Sequence, residues 1–110
     1  IALSNVLRLS IHGLVKTLSR ELAKYGIRVN AVLPGYMMTS RVKQLIKDRA
    51  SREGRSEEEI LKELMKEVPL GRIGEPEEVG YLVAFLISKH ASYITGASIP
   101  IDGGLLKSVL

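Results

Sequence analysis

Apolar residues recur every three or four positions through the first 25 residues of the chain, which is the spacing of one face of an α-helix. This face is formed by Leu3, Leu7, Ile11, Leu14, Val15, Leu18 and Leu22. Gly26 follows at a position where a glycine commonly ends a helix in the left-handed conformation. The pattern predicts a long amphipathic helix over residues 1–25.

A nearly continuous apolar run over residues 27–33 comes next. Such a run is typical of a parallel strand that is covered by helices on both faces. Pro34 has no N–H with which to continue a strand ladder, and Gly35 allows the backbone to turn sharply or to approach another group closely. Ligands of open α/β sheets bind just beyond the carboxyl ends of the strands, so residues 34–39 form the first candidate binding loop.

The region from residue 40 to residue 67 is highly charged and has only thin apolar stripes. Its last 27 residues, 41–67, carry eight basic and seven acidic side chains. Two helices are predicted on either side of a turn, and the second begins with a capping box of Ser56 and Glu59. Beside a ligand loop this pattern is typical of a mobile helical lid. A solvated helical connector fits equally well, so both interpretations of residues 40–67 stay open.

A further helix and a second strand complete the pattern. Pro76 stands in the first turn and acidic residues follow it, which predicts a helix over 76–89. Residues 97–101 predict a strand, and Pro100 within it favours the edge of a sheet. Strand, helix and strand in this order predict an α/β fold with two parallel strands, forming one domain over residues 1–110.

Composition and charge exclude several kinds of site. The chain has no cysteine, so disulfides and thiolate metal sites are excluded. His12 and His90 each lack a second ligand at metal-binding spacing, and no metal site is predicted. The net charge of +4 is interspersed with acidic residues and has no interleaved aromatics, so no nucleic-acid partner is expected. No apolar run is long enough to span a membrane, and we predict a cytoplasmic protein without a membrane partner.

Four sequence blocks, in order, resemble the short-chain dehydrogenases/reductases, in particular the branch that includes 3-oxoacyl-carrier-protein reductases. The blocks are residues 26–35 with Thr39, residues 69–79, residues 92–96 and residues 102–104. The resemblance covers essentially the whole chain, as the carboxy-terminal part of such an enzyme. The chain also begins on Ile1 in mid-pattern, so we expect it to be a segment of a longer polypeptide.

The resemblance implies a doubly wound, Rossmann-like parallel sheet that binds NAD or NADP. It also implies hydride transfer between the nicotinamide and a small-molecule carbonyl or alcohol, and a homo-oligomer that is a dimer or a tetramer. Pro34, Gly35 and Met37 would lie against the nicotinamide, and the Thr39 hydroxyl would reach its carboxamide or the pyrophosphate. The alternative for Thr39 is a helix cap at a strand-terminating turn.

The catalytic Tyr-x-x-x-Lys motif of the family is replaced in this chain. In the family the Lys stands 26 residues before the Pro of the Pro-Gly loop, and counting back from Pro34 gives Arg8, with Ser4 four residues earlier. Arginine can hold a ribose but cannot relay protons as lysine does. An aliphatic hydroxyl is far less acidic than a phenol. Ser4 is therefore either an unusual catalytic residue or a serine at a helix N-terminus, where serine is favoured.

Two functions follow from these residues. The first is an oxidoreductase whose proton donor differs from the usual tyrosine or lies outside residues 1–110. The second is a dinucleotide-binding or oligomer-forming relative that has lost redox chemistry. The family's glycine-rich phosphate loop and catalytic serine precede the matched blocks and have no counterpart in residues 1–110.

We expect residues 1–110, expressed alone, to self-associate or aggregate. Two neighbouring strands with a few helices leave an open strand edge and an uncovered apolar surface. Light scattering measures the mass of the species in solution. A monomer that also melts cooperatively would contradict this expectation.

Overall fold

The computed structural model describes the backbone of residues 2–107 and the side chains of residues 7–107. Within this part of the chain four α-helices and two β-strands alternate with loops. The helices are α1 (Ala2–Leu22), α2 (Ser40–Glu53), α3 (Glu57–Glu67) and α4 (Pro76–Leu86). The strands are β1 (Ala31–Pro34) and β2 (Ser98–Ile101), and two 3₁₀ turns lie at Ala23–Tyr25 and Lys89–Ala91.

The first helical segment ends at Gly26 as predicted, although its α-helix stops at Leu22 and the last three residues of the predicted range form a 3₁₀ turn. After the 3₁₀ turn, Gly26 adopts a left-handed φ of 72°, and its N–H donates to the carbonyl of Ala23 at 2.9 Å. The expected apolar surface on this helix is confirmed among the described side chains. The exposed fractions lie between 43% and 58% for Leu7, Leu9, Ile11 and Leu14.

Strands β1 and β2 pair in parallel, which confirms the predicted arrangement. The Ala31 N–H donates to the Ala97 carbonyl at 2.8 Å, and the Gly35 N–H donates to the Ile101 carbonyl at 3.0 Å. Pro100 lies in β2 with an exposed side chain. The missing N–H of this proline is tolerated in a strand that pairs, within the described residues, on one side.

Strand β1 begins at Ala31, later than the predicted strand over residues 27–33. The reason is the side chain of Asn30, which takes the place of ladder bonds just before the strand. Its amide donates to the Ile94 carbonyl at 3.1 Å and accepts from the Ala97 N–H at 3.0 Å. A side-chain amide carries both a donor and an acceptor, so one residue satisfies two backbone groups of the facing loop.

Helix α4 ends at Leu86, three residues before the end of the predicted range of 76–89. Ser88 caps the 3₁₀ turn that follows, and its hydroxyl accepts from the His90 N–H at 3.3 Å. At the other end of the helix, Arg72 holds Glu78 with two bonds of 2.8 and 3.0 Å. This ion pair, with the Glu75 N–H, lowers the pKa of Glu78 to about 2, so the pair is fully charged at neutral pH.

Helices α2 and α3 share an apolar core. The buried members of this core are Ile46, Ala50, Ile60, Leu64 and Ile73. The predicted capping box at the start of α3 is confirmed: the Ser56 hydroxyl accepts from the Glu59 N–H at 3.1 Å, and the Glu59 carboxylate accepts from the Ser56 N–H at 3.2 Å. Each of the two helices has few apolar residues, yet these are enough to bury one face of α2 and one face of α3.

Ion pairs add a second link between α2 and α3. Arg49 binds Glu53 at 2.9 Å and Glu63 at 2.8 Å, and Arg55 binds the same two carboxylates. These arginines lower the pKa of both glutamates, so the pairs persist at neutral pH. Single exposed pairs contribute little to stability, whereas a network of four groups restrains the two helices against each other. Motion of the helical pair as a lid stays a prediction.

The described residues group into two compact units. One contains residues 2–33 and 81–100, and the other contains residues 34–80 and 101–107. Helix α1 belongs to the first unit, whereas the candidate loop, α2 and α3 belong to the second. The single domain expected over residues 1–110 stays a prediction. Among the described helices none combines the length and the hydropathy needed to cross a membrane.

Replacing Asn30 with Ala should lower the free energy of unfolding by about 1–3 kcal/mol, because two partly buried backbone groups lose their partner. Urea unfolding followed by circular dichroism measures the change. The control is Gln44→Ala, which removes an exposed amide bound only to Asp48 at 2.8 Å and should change stability by less than about 0.5 kcal/mol. Equal effects of the two changes would contradict the role given to Asn30.

Candidate functional site

The candidate loop, residues 34–39, starts where β1 ends and approaches the segment after β2 very closely. A Cβ atom on Gly35 would lie 2.6 Å from the Asp102 Cβ and 2.9 Å from the Asp102 Cα. The Asp102 carboxylate is itself held, because it accepts from the N–H groups of Gly104 at 2.9 Å and Leu106 at 2.8 Å. The glycine is thus needed for a close backbone approach, as its position in the sequence predicts.

Backbone pairing with Gly74 fixes the middle of this loop. The Gly74 N–H donates to the Tyr36 carbonyl at 2.9 Å, and the Met38 N–H donates to the Gly74 carbonyl at 2.8 Å. The peptide between Tyr36 and Met37 is trans, so its C=O and N–H point in opposite directions. Since the carbonyl faces Gly74, the Met37 N–H faces away from it and is directed to the other side of the loop.

The side chain and the backbone of Met37 serve different purposes. The side chain is buried, with 8% of its surface exposed, and it lies where a Cβ on Gly74 would be only 2.6 Å from the sulfur. The backbone carbonyl accepts from the Thr39 N–H at 2.7 Å and has a second lone pair to offer. Met37 therefore presents one backbone donor and one backbone acceptor, held in place by a packed side chain.

Thr39 is the N-cap of α2, which is the alternative that the sequence left open for it. Its hydroxyl oxygen accepts from the Val42 N–H at 3.3 Å. This contact uses only an acceptor lone pair, so the hydroxyl hydrogen stays available for a further acceptor. The cap orients the hydroxyl and leaves its donor function intact.

Tyr36 is a further residue of this loop, and its sequence context predicts no role for it. Its phenol donates to the Glu67 carboxylate at 2.8 Å, and the ring is partly buried against the core of α2 and α3. The bond to Glu67 raises the pKa of the phenol above its usual value. A phenol that is bound in this way is a poorer proton donor, so Tyr36 is not a candidate for the catalytic proton donor. No local pattern signals the pair, because the two residues are 31 positions apart.

The two residues predicted to stand at the catalytic positions, Ser4 and Arg8, lie about one helical turn apart on α1. Ser4 belongs to this helix, and its side chain lies outside the described side chains. Arg8 is half-buried on the same helix. Both belong to the first compact unit, whereas Pro34, Gly35, Met37 and Thr39 belong to the second. The structure thus brings together the four predicted cofactor-binding residues, and the catalytic assignments stay predictions.

A shallow cavity of about 200 Å³ opens between α2 and α3, next to the loop. Met38 of the loop lines it with Ile46 and Leu61, and Lys43, Glu57 and Glu58 provide charged groups at its edge. Its lining is mostly apolar, so it suits a hydrocarbon group better than a polar one. Among the described residues no group of three His, Cys, Asp or Glu side chains is arranged to hold a metal ion.

Comparison with known proteins identifies the family. A family model described as enoyl-(acyl carrier protein) reductase matches residues 2–106, and the chain belongs to the short-chain dehydrogenase/reductase family. The chain is 41% identical over 96 residues to (3R)-3-hydroxyacyl-CoA dehydrogenase of Mus musculus, covering 84% of this chain and 32% of that protein. It is 42% identical over 95 residues to the oxidoreductase UcpA of Escherichia coli K12, covering 86% and 35%. The chain thus spans about a third of the length of these curated relatives.

Solved structures confirm the α/β, Rossmann-like fold. A short chain dehydrogenase family protein from Francisella tularensis matches with a TM-score of 0.83 at 45% identity, over 87% of this chain and 40% of that one. L-sorbose reductase from Gluconobacter frateurii, solved with NADPH and L-sorbose, matches with a TM-score of 0.86 at 32% identity, over 96% and 40%. The resemblance seen in the sequence blocks is therefore confirmed as family membership.

Replacing Gly35 with Ala should lower the free energy of unfolding by about 1–3 kcal/mol, because the new methyl group collides with the backbone of Asp102. The matched control is Gly80→Ala in α4, where an added Cβ meets, among the described residues, no atom within 4 Å beyond its chain neighbours and the backbone of its own helix. Alanine is favoured over glycine in a helix by about 1 kcal/mol, so this change should stabilise. Urea unfolding measures both, and a stabilising effect of Gly35→Ala would contradict the close approach.

Proposed function

We propose that this chain is the carboxy-terminal part of an NAD(P)-dependent oxidoreductase that interconverts a small-molecule carbonyl and an alcohol. The observation that carries the proposal is the backbone of Met37, whose N–H faces away from Gly74 beside a carbonyl with a free lone pair. A nicotinamide carboxamide needs one acceptor and one donor in this arrangement, and a single backbone residue supplies both.

The neighbouring residues fit the same group. Gly35 and Pro34 bring the backbone close without a bulky side chain, and the Thr39 hydroxyl can donate to the carboxamide or to a pyrophosphate oxygen while it caps α2. The dinucleotide, when bound, supplies or accepts a hydride at the nicotinamide. The work of this chain is to bind and orient that ring, with α2 and α3 covering a substrate nearby as a lid.

Relatives support both the class of reaction and the cofactor. L-sorbose reductase from Gluconobacter frateurii was solved with NADPH, and another relative of known structure, YwfH, is an NADPH-dependent reductase. The described residues do not distinguish NAD from NADP, since the adenine ribose would contact residues that are not in these blocks. We therefore propose either cofactor.

The positions of Ser4 and Arg8 favour a second candidate function. The family's catalytic tyrosine and lysine are replaced there by groups that cannot transfer a proton in the same way. A relative that binds a dinucleotide or builds an oligomer without redox chemistry would keep the Met37 site and lose the proton donor. The oxidoreductase is our first proposal, because relatives named as reductases or dehydrogenases match at 31–45% identity.

The exposed apolar residues support a homo-oligomer, as a dimer or a tetramer. On and just after α4, Tyr81 and Ile87 are 73% and 76% exposed among the described residues, and four residues of α1 are also largely exposed. Surfaces of this kind usually mark protein contacts. We propose no nucleic-acid and no membrane partner.

The first test uses the complete polypeptide that carries this chain. Titration with NADH and NADPH, followed by nicotinamide fluorescence, should show saturable binding, and a panel of carbonyl compounds should show turnover. Binding without turnover of any carbonyl would favour the non-catalytic candidate. Absence of binding to both cofactors would overturn both candidates that rest on a dinucleotide.

The double change Ser4→Tyr with Arg8→Lys separates the two candidates further. It places a phenol beside an ammonium group that lowers the pKa of that phenol toward neutral pH. If the proton donor has simply been lost, carbonyl reduction should rise by a factor on the order of 10²–10⁴. If Ser4 and Arg8 already work together, the same change should lower turnover. No response in the single or double variants, with cofactor still bound, would remove both positions from the chemistry.

A further inference from the structure

Tyr36 connects the candidate cofactor loop to the end of α3. It stands between Gly35 and Met37 in the loop, and its phenol donates to Glu67, the last residue of α3, at 2.8 Å. The ring is also partly buried against the core that α2 and α3 share. Both the apolar body and the polar end of this side chain therefore contact the helical pair.

Tyr36 and Met37 share one peptide group, to which Tyr36 contributes the carbonyl and Met37 contributes the N–H. The Tyr36 carbonyl and the Met37 N–H lie in one rigid plane and point in opposite directions. A rotation about the Cα–C bond of Tyr36 therefore turns the Tyr36 carbonyl and the Met37 N–H together. The Gly74 N–H holds the carbonyl end of this peptide, and the contact of the Tyr36 side chain with Glu67 adds a second restraint.

We propose that Tyr36 is a positioning residue for the nicotinamide ring, and that its bond to Glu67 couples the end of α3 to the orientation of the Met37 amide. The inference rests on the proposed function of the loop. Glu67 acts through Tyr36 and does not touch the cofactor. If α3 moves when a substrate binds, the Met37 amide turns with it and its bond to the nicotinamide changes. By reciprocity, a bound nicotinamide restrains the movement of α3.

The chemistry of the pair suits a positioning contact. A hydrogen bond to an ionised carboxylate is shorter and stronger than one between neutral groups. The raised pKa of the Tyr36 phenol keeps it protonated, so it stays the donor throughout the neutral range. The two backbone bonds to Gly74 hold the loop without this side chain, so the fold should survive loss of the phenol hydroxyl.

The test compares cofactor affinities of variants of the complete polypeptide. Tyr36→Phe keeps the ring and removes the hydroxyl, and Glu67→Ala removes the carboxylate. Each should weaken binding of NADH or NADPH, whichever the wild type binds, by about threefold to tenfold. The double variant should be no weaker than either single one, because both changes remove the same bond. Glu67→Gln keeps an acceptor and should recover part of the affinity.

Two controls separate positioning from a general structural effect. ADP-ribose, with its 2′-phosphate if NADP is the cofactor, lacks the nicotinamide and should bind equally to all variants. Tyr93→Phe removes the hydroxyl of a fully exposed tyrosine and should leave NADH and NADPH binding unchanged. Melting temperatures of all variants should agree closely.

Several results would overturn the inference. Unchanged NADH and NADPH affinity in Tyr36→Phe, with normal binding by the wild type, would overturn the positioning role alone. Equal weakening of ADP-ribose binding would show a structural effect and overturn it, as would additive losses in the double variant. If the wild type binds neither NADH nor NADPH, the proposed function of the loop fails together with this inference.

Discussion

The backbone pairing of the loop with Gly74 is the contact on which the candidate site depends. It consists of two hydrogen bonds. The Gly74 N–H donates to the Tyr36 carbonyl at 2.9 Å, and the Gly74 carbonyl accepts from the Met38 N–H at 2.8 Å. Each bond of this kind contributes only about 0.5–1.5 kcal/mol, but together they fix the plane of the peptide that precedes Met37. Without a Cβ, Gly74 also leaves room for the Met37 sulfur. The direction of the Met37 N–H thus follows from a residue far along the chain.

Features set by neighbours in sequence were predicted well. The glycine cap at Gly26, the capping box at Ser56 and the parallel pairing of two strands depend on short-range rules and on the order of elements. The start of β1 was placed too early, because Asn30 stands inside an apolar run and looks like a strand residue. Its partners lie 64 and 67 positions away, and no periodic pattern carries that information.

The same limit applies within the site. The positions of Gly35, Met37 and Thr39 in a loop after a strand follow from the sequence, whereas the role of each backbone group does not. The Met37 amide is oriented by Gly74, and Tyr36 is tied to Glu67, by contacts that no local spacing announces. From the sequence, residues 40–67 could be characterised mainly as two highly charged helices. The structure adds that Arg49 and Arg55 join carboxylates of both helices, Glu53 and Glu63.

Cofactor binding alone does not distinguish an enzyme from a binding protein in this family. The Met37 backbone, the Thr39 hydroxyl and the helical pair would serve either protein, because each of them binds or covers and none transfers a proton. Hydride transfer to a carbonyl also needs an acid for the developing alkoxide. The Tyr36 phenol is engaged with Glu67, and an arginine at position 8 does not release its proton. The difference between the two candidates therefore lies in the proton donor, which we propose for Ser4 or for a residue of the complete polypeptide outside residues 1–110.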